Sequence, residues 1–566
     1  MHRSNPVLPR PAALLAVLFA PALLAQTVAV DLTAAPGQAQ VAPGVTVNAW
    51  LYGGTLPGPV LRVTQGQTLR VRFHNDLPEA TAIHWHGQPI RLGMDGVPDI
   101  SRPAIAPGQE FVYELTGLVP GSYWFHPHGH EMQLDVGLAG LLIVDPANPA
   151  SDPPFDVEQA IVLDDWTNPL GGAFTGHLCN GKSSAGQAPI VVQPGQRLRL
   201  RVLNASATTN YVFALDGHLM TVTHADGNRV QPVAVAAIPI GIGERWDVIV
   251  DCNNPGIWSL AASSIQNRNA TLVRAVVQYA GQTGSAPAAT YVPANLASGA
   301  LLGYAQLAAY VGGAPITATP AATFTATLGM GMGPGGMVHT INGQTWPNVT
   351  PFQVALGSQV QFTFVNSGMM MMNEYHPMHI HGHFYRLMGT AGGTSHPPLK
   401  DTVLIRPNGL AGSTAQVQVA MDNPGRWLLH CHNMDHMATG MMTAIEYGGD
   451  ADADGIPDRS DYEPTLAIPV VAISDQPAAF APGASDSVRV QWTPGDAFAL
   501  FVGVNELTPP VEVPPWGTFV LDPLAASFFG SAVTVAPGQA AIPYTLPSNP
   551  AIVGLRVGWQ GVALTA

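Results

Sequence analysis

The 566-residue chain has little cysteine, little charge and few basic residues. Its 3 cysteines are too few for a scaffold built on disulfides and allow at most one bridge. Lysine and arginine number 22 against 37 aspartates and glutamates, and the net charge of −15 disfavours nucleic acid and anionic lipid surfaces as partners. Beyond the N-terminal region no run reaches about 18 unbroken apolar residues, so no transmembrane segment is expected.

Glycine and proline, in contrast, are abundant, at 60 and 52 residues, and 47% of the chain is hydrophobic. A chain rich in turn formers that still has apolar residues for a large core is typical of β proteins. The same composition argues against a helical bundle, a coiled coil or a disordered chain. We therefore predict an all-β protein of several domains, since roughly 100–200 residues make one domain.

The first 25 residues differ from the rest of the chain. A basic start precedes a short apolar run at residues 12–25 that ends in small residues, which is typical of an export signal. We predict that residues 1–25 are a signal peptide and that the mature protein is periplasmic or extracellular. Such compartments permit disulfides, so Cys179 and Cys252 either form one bridge or stay two buried free thiols.

One pattern occurs three times, an alternating apolar segment that passes through a glycine and ends at an asparagine nine residues later. The three pairs are Gly66/Asn75, Gly195/Asn204 and Gly357/Asn366. Alternation on both sides of a glycine turn predicts two paired strands with one buried face. The repeat predicts three similar β domains, at residues 27–147, 155–295 and 315–448. A connector at residues 281–322 is expected to carry a short helix within residues 296–310.

Histidine is concentrated in four His-x-His pairs. They account for eight of the 19 histidines and are His84/His86, His126/His128, His379/His381 and His430/His432. On a strand, residues i and i+2 point to the same face, so each pair presents two imidazoles together. Eight imidazoles suit two metal ions with three nitrogens each and a third with two. Closed structural zinc sites take four ligands, whereas imidazole also suits copper, so the pairs predict a copper cluster.

The tripeptide His430-Cys431-His432 has a geometric consequence. On a strand, the Cys431 sulfur points away from the two flanking imidazoles, so one tripeptide can connect two metal sites. A thiolate, two imidazoles and a weak thioether are the ligands of a blue-copper electron-transfer centre. The residues that would supply them are Cys431, His376, His436 and either Met441 or Met442.

These motifs closely resemble those of the multicopper oxidases, specifically the three-domain laccase-like and bacterial cuprous-oxidase-like branch. The four copper motifs stand in order and are His84-Trp85-His86-Gly87, Trp124-Phe125-His126-Pro127-His128, His376-Pro377-Met378-His379-Ile380-His381-Gly382 and His430-Cys431-His432-Asn433-Met434-Asp435-His436 followed by Met441. The resemblance covers residues 27–448. It implies three cupredoxin-like Greek-key β-barrel or sandwich domains and four copper ions, namely one type 1, one type 2 and a type 3 pair.

The resemblance also implies which residue binds which copper. The type 1 ligands would be Cys431, His376, His436 and, by the family spacing, Met441. The type 2 ligands would be His84 and His379. The type 3 ligands would be His86, His126, His128, His381, His430 and His432. The middle domain is assigned no copper, in agreement with its lack of any His-x-His pair.

The resemblance implies an oxidase that takes single electrons from a small reducing substrate at the type 1 copper. The electrons would pass along the Cys431 backbone to the cluster, where four of them reduce O2 to water. Asp95 matches by spacing an acidic residue that relays protons, and the alternative is a turn-forming Asp95-Gly96. Met437 stands where some bacterial relatives carry a glutamate, which leaves the second proton route in doubt.

The sequence defines the electron-donating substrate less well. Fourteen of the 18 methionines lie within residues 330–442, including Met330, Met332, Met337 and the run at 369–372. Thioethers favour Cu(I), but methionine also fills irregular cores. We therefore expect a laccase-type oxidase of phenols first and a cuprous oxidase for copper tolerance second. A non-catalytic copper-binding scaffold is the third hypothesis, and the complete ligand sets argue against it.

The chain continues beyond the third predicted domain with an Asp-rich segment at residues 450–461. Its spacing is that of a calcium-binding loop, with Gly455 at the sixth position and these ligand positions: Asp450, Asp452, Asp454, Ile456, Asp458 and Asp461. A flexible acidic linker is the alternative. Residues 463–566 are predicted to form a small accessory β module without a metal motif.

Overall fold

The computed structural model describes residues 26–98, 100–128, 132–310, 319–369 and 372–451, together with residues 458–460 and the C-terminal strands given below. The predicted signal peptide and most of the predicted calcium loop, residues 452–457 and 461, lie outside the described residues.

The first sandwich consists of two sheets that share one buried core. Its described strands are β1 (Thr27–Ala42), β2 (Val45–Tyr52), β3 (Leu61–Thr64), β4 (Thr68–Asn75), β5 (Ile83–His86), β6 (Glu110–Leu115), β7 (Gly121–Pro127) and β8 (Gly140–Asp145). Their orders are β2-β1-β4-β6 and β3-β8-β7-β5. Period-2 alternation drives the packing, because β4 buries Leu69, Val71 and Phe73 while Arg70 and Arg72 face solvent. Helical turns lie at Leu92–Met94, Met132–Asp135 and Pro149–Ser151.

The second sandwich repeats this plan. Its described strands are β9 (Val157–Trp166), β10 (Gly176–Cys179), β11 (Ile190–Val192), β12 (Arg197–Asn204), β13 (Tyr211–Leu215), β14 (Met220–Ala225), β15 (Asn228–Val235), β16 (Ile238–Ile240), β17 (Arg245–Asp251), β18 (Ile257–Ser264) and β19 (Val273–Tyr279). Their orders are β10-β9-β12-β17-β14-β15 and β11-β19-β18-β13-β16. Both faces of β12 are buried, because its outer residues Arg199 and Arg201 lie against the first sandwich, where Arg201 donates to Ser122.

The third sandwich contains the last copper motifs. Its described strands are β20 (Ala322–Gly333), β21 (Gly336–Ile341), β22 (Phe352–Val354), β23 (Gln359–Asn366), β24 (His376–Ile380), β25 (Tyr385–Leu387), β26 (Leu399–Lys400), β27 (Thr402–Ile405), β28 (Thr414–Ala420), β29 (Arg426–Cys431) and β30 (Met442–Tyr447). Their orders are β21-β20-β23-β28-β25-β26 and β22-β30-β29-β24-β27. A helix at Met434–Ala438 follows β29, and Cys431 lies in the shared core of the two sheets.

The glycine of each repeat connects two sheets, so the predicted pairing of its flanking strands is wrong. In the first sandwich, β3 pairs in parallel with β8 while β4 pairs in parallel with β1, in the opposite sheet. The other two sandwiches repeat this crossing. The three glycines have φ of +90°, +88° and +78°, a region that costs glycine little. Alternation identified one buried face correctly in β4, whereas both faces of β12 are buried, and it carries no information on strand partners.

The asparagine of each repeat closes a loop at the end of its strand. The side-chain oxygen of Asn75 accepts the backbone N–H two residues on, and its amide donates to the carbonyls of Glu79 and Ile105. Asn204 and Asn366 make the corresponding three hydrogen bonds. One buried amide therefore satisfies three backbone groups that would otherwise be unpaired, which accounts for the recurrence.

Three remaining expectations concern the two cysteines of the second sandwich, the connector and membrane crossing. Cys179 and Cys252 are buried free thiols in the second core, so the disulfide alternative is wrong. The connector carries its helix at Ala294–Ser298, earlier and shorter than predicted, and a 3-10 turn at Tyr304–Gln306. Within the described residues, no helix combines the length and apolar character that crossing a bilayer requires.

The C-terminal part of the chain contains further strands. Those described are β31 (Val471–Ala472), β32 (Ser485–Gln491), β33 (Ala497–Gly503), β34 (Glu506–Glu512), β35 (Thr518–Leu521), β36 (Ser527–Val533), β37 (Gln539–Thr545) and β38 (Gly558–Leu564). They form small sheets with the orders β31-β32-β37, β36-β33-β38 and β34-β35. A 3-10 turn at Asp458–Ser460 precedes them.

Candidate metal centre

Antiparallel strand pairing assembles the four His-x-His pairs into one cluster. In the first sandwich β5 and β7 place His84 opposite His126, and in the third β24 and β29 place His379 opposite His430. The two sandwiches meet across these strands. The rings of His84 and His381 stack at 3.9 Å, and those of His86 and His379 stack at 3.7 Å. All eight imidazoles are buried.

The imidazoles lie close enough to share metal ions in several combinations, which include His84 with His379 and His381, and His84 with His86 and His126. The nitrogens of His128, His381 and His430 lie within 4.8 Å of one another. Ring centroids are 5.1–5.7 Å apart among His86, His126 and His432, and 5.7 Å apart between His84 and His379.

Acceptors around the cluster determine which nitrogen is free in most of the imidazoles. A carbonyl oxygen only accepts, so the Nδ1–H groups of His84, His126, His379 and His430 donate to backbone carbonyls at 2.9–3.0 Å. The Nε2 atoms of His84, His126 and His379 are buried without a partner. In His86 the roles of the two ring nitrogens are exchanged. Its Nε2 lies 3.1 Å from Asp401 Oδ1, and its Nδ1 is unpartnered.

The orphaned nitrogens fit metal ions. Nδ1 of His381 donates to Asp95 and Nδ1 of His430 to a carbonyl, yet their Nε2 atoms lie only 3.0 Å apart. Two lone pairs facing each other repel, and a cation bound by both removes that repulsion. Burial lowers the pKa of His86, His126, His128, His379, His381 and His432 well below the ordinary value. Burial lowers the pKa of His430 to about 4. These seven imidazoles are therefore neutral, which is the ligating form.

Asp95 joins two of the predicted ligands. Its carboxylate lies 3.2 Å from Nδ1 of His84 and 3.0 Å from Nδ1 of His381. The Asp95-Gly96 turn makes this contact possible, because a Cβ at Gly96 would lie 1.7 Å from the carbonyl oxygen of Ile83 on β5. The Asp-Gly turn and the contact with the imidazoles therefore coexist, and the turn delivers the carboxylate to the cluster.

A second centre surrounds Cys431. Its Sγ lies 3.4 Å from Nδ1 of His436 and 3.8 Å from Nδ1 of His376, and these two nitrogens are 3.1 Å apart. The helix Met434–Ala438 presents His436, with its N-terminus capped by Asn433. Burial lowers the pKa of both His376 and His436 to about 3. Burial raises the pKa of the Cys431 thiol, so the thiolate form requires a cation bound beside it.

The two candidate axial methionines lie in different surroundings. Met441 is fully buried in the same core as Cys431, and its carbonyl accepts the Cys431 N–H at 3.1 Å. Met442 pairs with His430 on the neighbouring strand and packs outside that core. The thioether of Met441 is therefore the one that shares a core with the sulfur.

Comparison with known proteins agrees with this geometry. Three multicopper oxidase models match residues 33–149, 159–282 and 316–450. The multicopper oxidase MmcO of Mycobacterium tuberculosis is 33% identical over 468 residues, covering 75% of this chain and 87% of that protein. The chain belongs to the multicopper oxidase family. Laccase-4 of Trametes villosa is 29% identical over 468 residues, covering 72% of this chain and 88% of the laccase.

Solved multicopper oxidases have the same fold. The enzyme from Pseudomonas thermotolerans matches with a TM-score of 0.58 at 28% identity, covering 75% of this chain and all of that one. The laccase from Botrytis aclada matches with a TM-score of 0.62 at 23% identity, covering 74% of this chain and 88% of the laccase. The predicted family, all-β cupredoxin-like fold and oxidase activity are confirmed, and the family is a copper-dependent one.

This multicopper oxidase has a buried ion pair at its cluster that sequence reasoning missed. Arg245 of the second sandwich donates to both carboxylate oxygens of Asp401 in the third, at 2.8 and 2.6 Å. Asp401 in turn holds His86 of the first sandwich. The neighbouring Gly87 is needed here, since a Cβ there would lie 2.5 Å from both ionic groups. Arg245 and Asp401 are far apart in the chain and belong to no short motif, so the sequence offered no signal for their pairing.

His339 is a further residue that sequence reasoning missed, and it lies against His436, a predicted ligand of the Cys431 centre. Its ring stacks on that of His436 at 4.1 Å. Its Nδ1 hydrogen-bonds Thr439 Oγ1 at 2.7 Å, and its Nε2 lies 3.5 Å from Glu374. His339 stands in no His-x-His pair, and only the tertiary fold brings strand β21 to the end of the helix.

The predicted calcium loop is described only at its ends. Asp458 is buried, and its Oδ1 accepts the N–H of Ala451 at 2.8 Å. The other predicted ligands apart from Asp450 lie outside the described residues, so calcium binding stays a prediction.

Proposed function

We propose that this multicopper oxidase is a laccase-type enzyme that oxidises phenols at the Cys431 centre and reduces O2 to water at the eight-histidine cluster. The observation that carries the proposal is the tripeptide His430-Cys431-His432, which supplies one residue to the first centre and two to the second. A fold without turnover would need no such connection between the two centres.

Four copper ions complete the proposal, with the ligand sets predicted from the family motifs. Copper in these sites would accept single electrons at Cys431 and deliver four of them to O2 at the cluster. The chain supplies the path between them, since the Cys431 carbonyl accepts the Nδ1–H of His430 at 3.0 Å. Metal analysis of the purified protein should find four copper ions per chain, and the same measurement on calcium-loaded protein tests the Asp-rich loop.

We propose export as well, by a signal peptide at residues 1–25 that leaves the mature enzyme in the periplasm or outside the cell. N-terminal sequencing of the mature protein tests this, because an intact residue 1 in the secreted fraction would contradict it.

Replacing Asp95 by asparagine should slow O2 reduction by about 10–100-fold, the usual effect of losing a group that orients metal ligands. Blue absorption should persist, because Asp95 contacts neither Cys431 nor its two histidines. The proposed relay role adds a pH effect. Protons become scarcer as pH rises, so the deficit in kcat should grow with pH. If the loss of kcat did not depend on pH, Asp95 would be a positioning residue only. Asp422→Asn is the matched control, because Asp422 is exposed.

Cu(I) oxidation is the second candidate function, and a row of methionines favours it. In the β20–β21 hairpin, Met330 pairs with His339 and Met332 pairs with Met337. Cross-strand partners and residues two apart share a face, so these four side chains lie on the face of the hairpin that meets His436. Exposure along the row rises from 5% at His339 to 46% at Met337 and 83% at Met332. Exposed methionines do not fill a core, which weakens the packing interpretation.

Replacing Met330, Met332 and Met337 together by leucine separates the two functions. Leucine conserves apolar volume, so the fold should be little affected. We expect kcat/KM for Cu(I) to fall at least about tenfold, since soft ligands are lost, and kcat/KM for a phenol to change less than about twofold. O2 uptake by the copper-loaded enzyme measures both. Equal losses for the two donors would mean that the methionines pack the site, and unchanged Cu(I) kinetics would overturn the second candidate. Met132→Leu is the control, because Met132 is exposed and lies in the first sandwich, outside this row.

A further inference from the structure

A cavity of about 230 Å³ lies between the first and second sandwiches, on the side of the second sandwich that carries the buried arginines. Its lining contains none of the predicted copper ligands. The residues that decide its chemistry are Gln65, Asp152, Arg199, Arg201, His224 and Arg229. Three guanidinium groups share its wall with one carboxylate, and that carboxylate, Asp152, pairs with Arg199 and lies 3.2 Å from Nε2 of His224.

Carboxylates behind the wall hold two of the guanidinium groups in place. Arg199 and Arg201 both donate to Asp247, at 2.6 and 3.0 Å, and Arg201 also donates to Glu158 at 2.6 Å. Burial would raise the pKa of Asp247, but the two guanidinium groups hold it well below its ordinary value. Asp247 and Glu158 do not line the cavity. They therefore fix the two arginines without occupying the space in front of them.

The wall contains a hydrogen-bond donor that no described residue accepts from. Arg199 is 1% exposed, yet its Nε has no hydrogen-bond partner. A buried unpaired donor on a guanidinium group is costly, and a ligand that accepts its hydrogen bond would remove that cost. Arg229 forms no ion pair with a carboxylate within the described part of the chain. Its guanidinium stacks on Tyr310 and donates to the Ser151 carbonyl.

We propose that this cavity binds a small dianion with several acceptor oxygens, of the chemical class shared by phosphate, sulfate and short dicarboxylates. Guanidinium groups match such oxygens in pairs. The anion would bridge Arg199 and Arg201 of β12 and Arg229 of β15 to the edge of the first sandwich, where Gln65 lies.

The cavity also connects to the copper cluster through continuous contacts. Ser122 Oγ donates to Asp247 at 2.7 Å and accepts from Arg201 at 2.8 Å, and its carbonyl accepts the Nε–H of Arg245 at 3.2 Å. Arg245 holds Asp401, which holds His86. An anion in the cavity is therefore linked to a cluster ligand by charged groups that are already fixed in position.

The test is calorimetric titration of the copper-loaded enzyme with phosphate, sulfate and succinate at low ionic strength. We expect at least one of them to bind with a Kd below about 1 mM. Preference for the inorganic ions or for succinate identifies the natural class. Arg229→Gln removes a cation from the wall, and Gln65→Glu adds a carboxylate of nearly the same shape. Each should weaken binding at least about tenfold, the usual effect of one hydrogen bond to a charged group.

Arg70→Gln is the matched control, because Arg70 is an exposed arginine of the first sandwich that does not line the cavity. It should leave the affinity unchanged within about twofold. Failure of all three anions to bind the wild-type enzyme at about 10 mM would overturn the proposal. Binding that is equally strong in Arg229→Gln, Gln65→Glu and Arg70→Gln would overturn it as well, since the anion would then be held elsewhere.

Discussion

Replacing Cys431 by serine is expected to abolish both the blue colour and the oxidase activity of the protein while leaving it folded. The colour of a blue-copper centre comes from charge transfer between thiolate and copper, and serine offers no sulfur. The hydroxyl is nearly isosteric and the site is fully buried, so the loss is chemical rather than structural. Visible absorption and O2 uptake measure the effect, and the melting temperature reports the fold.

Cys252→Ser is the control for this variant. Cys252 is a buried free thiol of the second sandwich whose Sγ lies 3.8 Å from the Val250 carbonyl, so a serine hydroxyl there has an acceptor. It should retain colour and activity. Persistence of the blue band in Cys431→Ser would show that the sulfur ligand had been assigned to the wrong residue.

Replacing Arg245 by methionine is expected to destabilise the junction of the three sandwiches by about 3–5 kcal/mol, the usual cost of leaving a buried carboxylate without its partner. Arg245 is 1% exposed and Asp401 is fully buried, so water cannot compensate the lost charge. The variant also frees the carboxylate that holds His86, so copper should be retained less tightly. Thermal unfolding and copper content after dialysis against a chelator measure the two effects.

Arg72→Met supplies the comparison for this second variant. Arg72 pairs with Asp31 at 2.7 Å, but both side chains are exposed, and a surface pair contributes little. The free energy of unfolding of Arg72→Met should be nearly that of the wild type. An Arg245→Met protein as stable as Arg72→Met would mean that the junction does not depend on the buried pair.

The chemistry of the copper centres was readable in the chain because it resides in short motifs. His-x-His on a strand puts two imidazoles on one face whatever the fold, and a cysteine between two histidines points the other way. Glycine at a positive φ is likewise a local requirement of the backbone. These features determined the candidate ligands, the repeat and the fold class.

Tertiary structure alone decided how these local features combine. Alternation shows which residues are buried and is silent about partners, so the crossing of each repeat glycine between two sheets could not be predicted. Arg245, Asp401 and His86 come from three sandwiches, and His339 reaches His436 from a different hairpin. The arginine-lined cavity likewise needs two sandwiches to enclose it. Charge pairing, stacking and enclosure act through space between residues that are remote in the chain, and no spacing along the sequence encodes them.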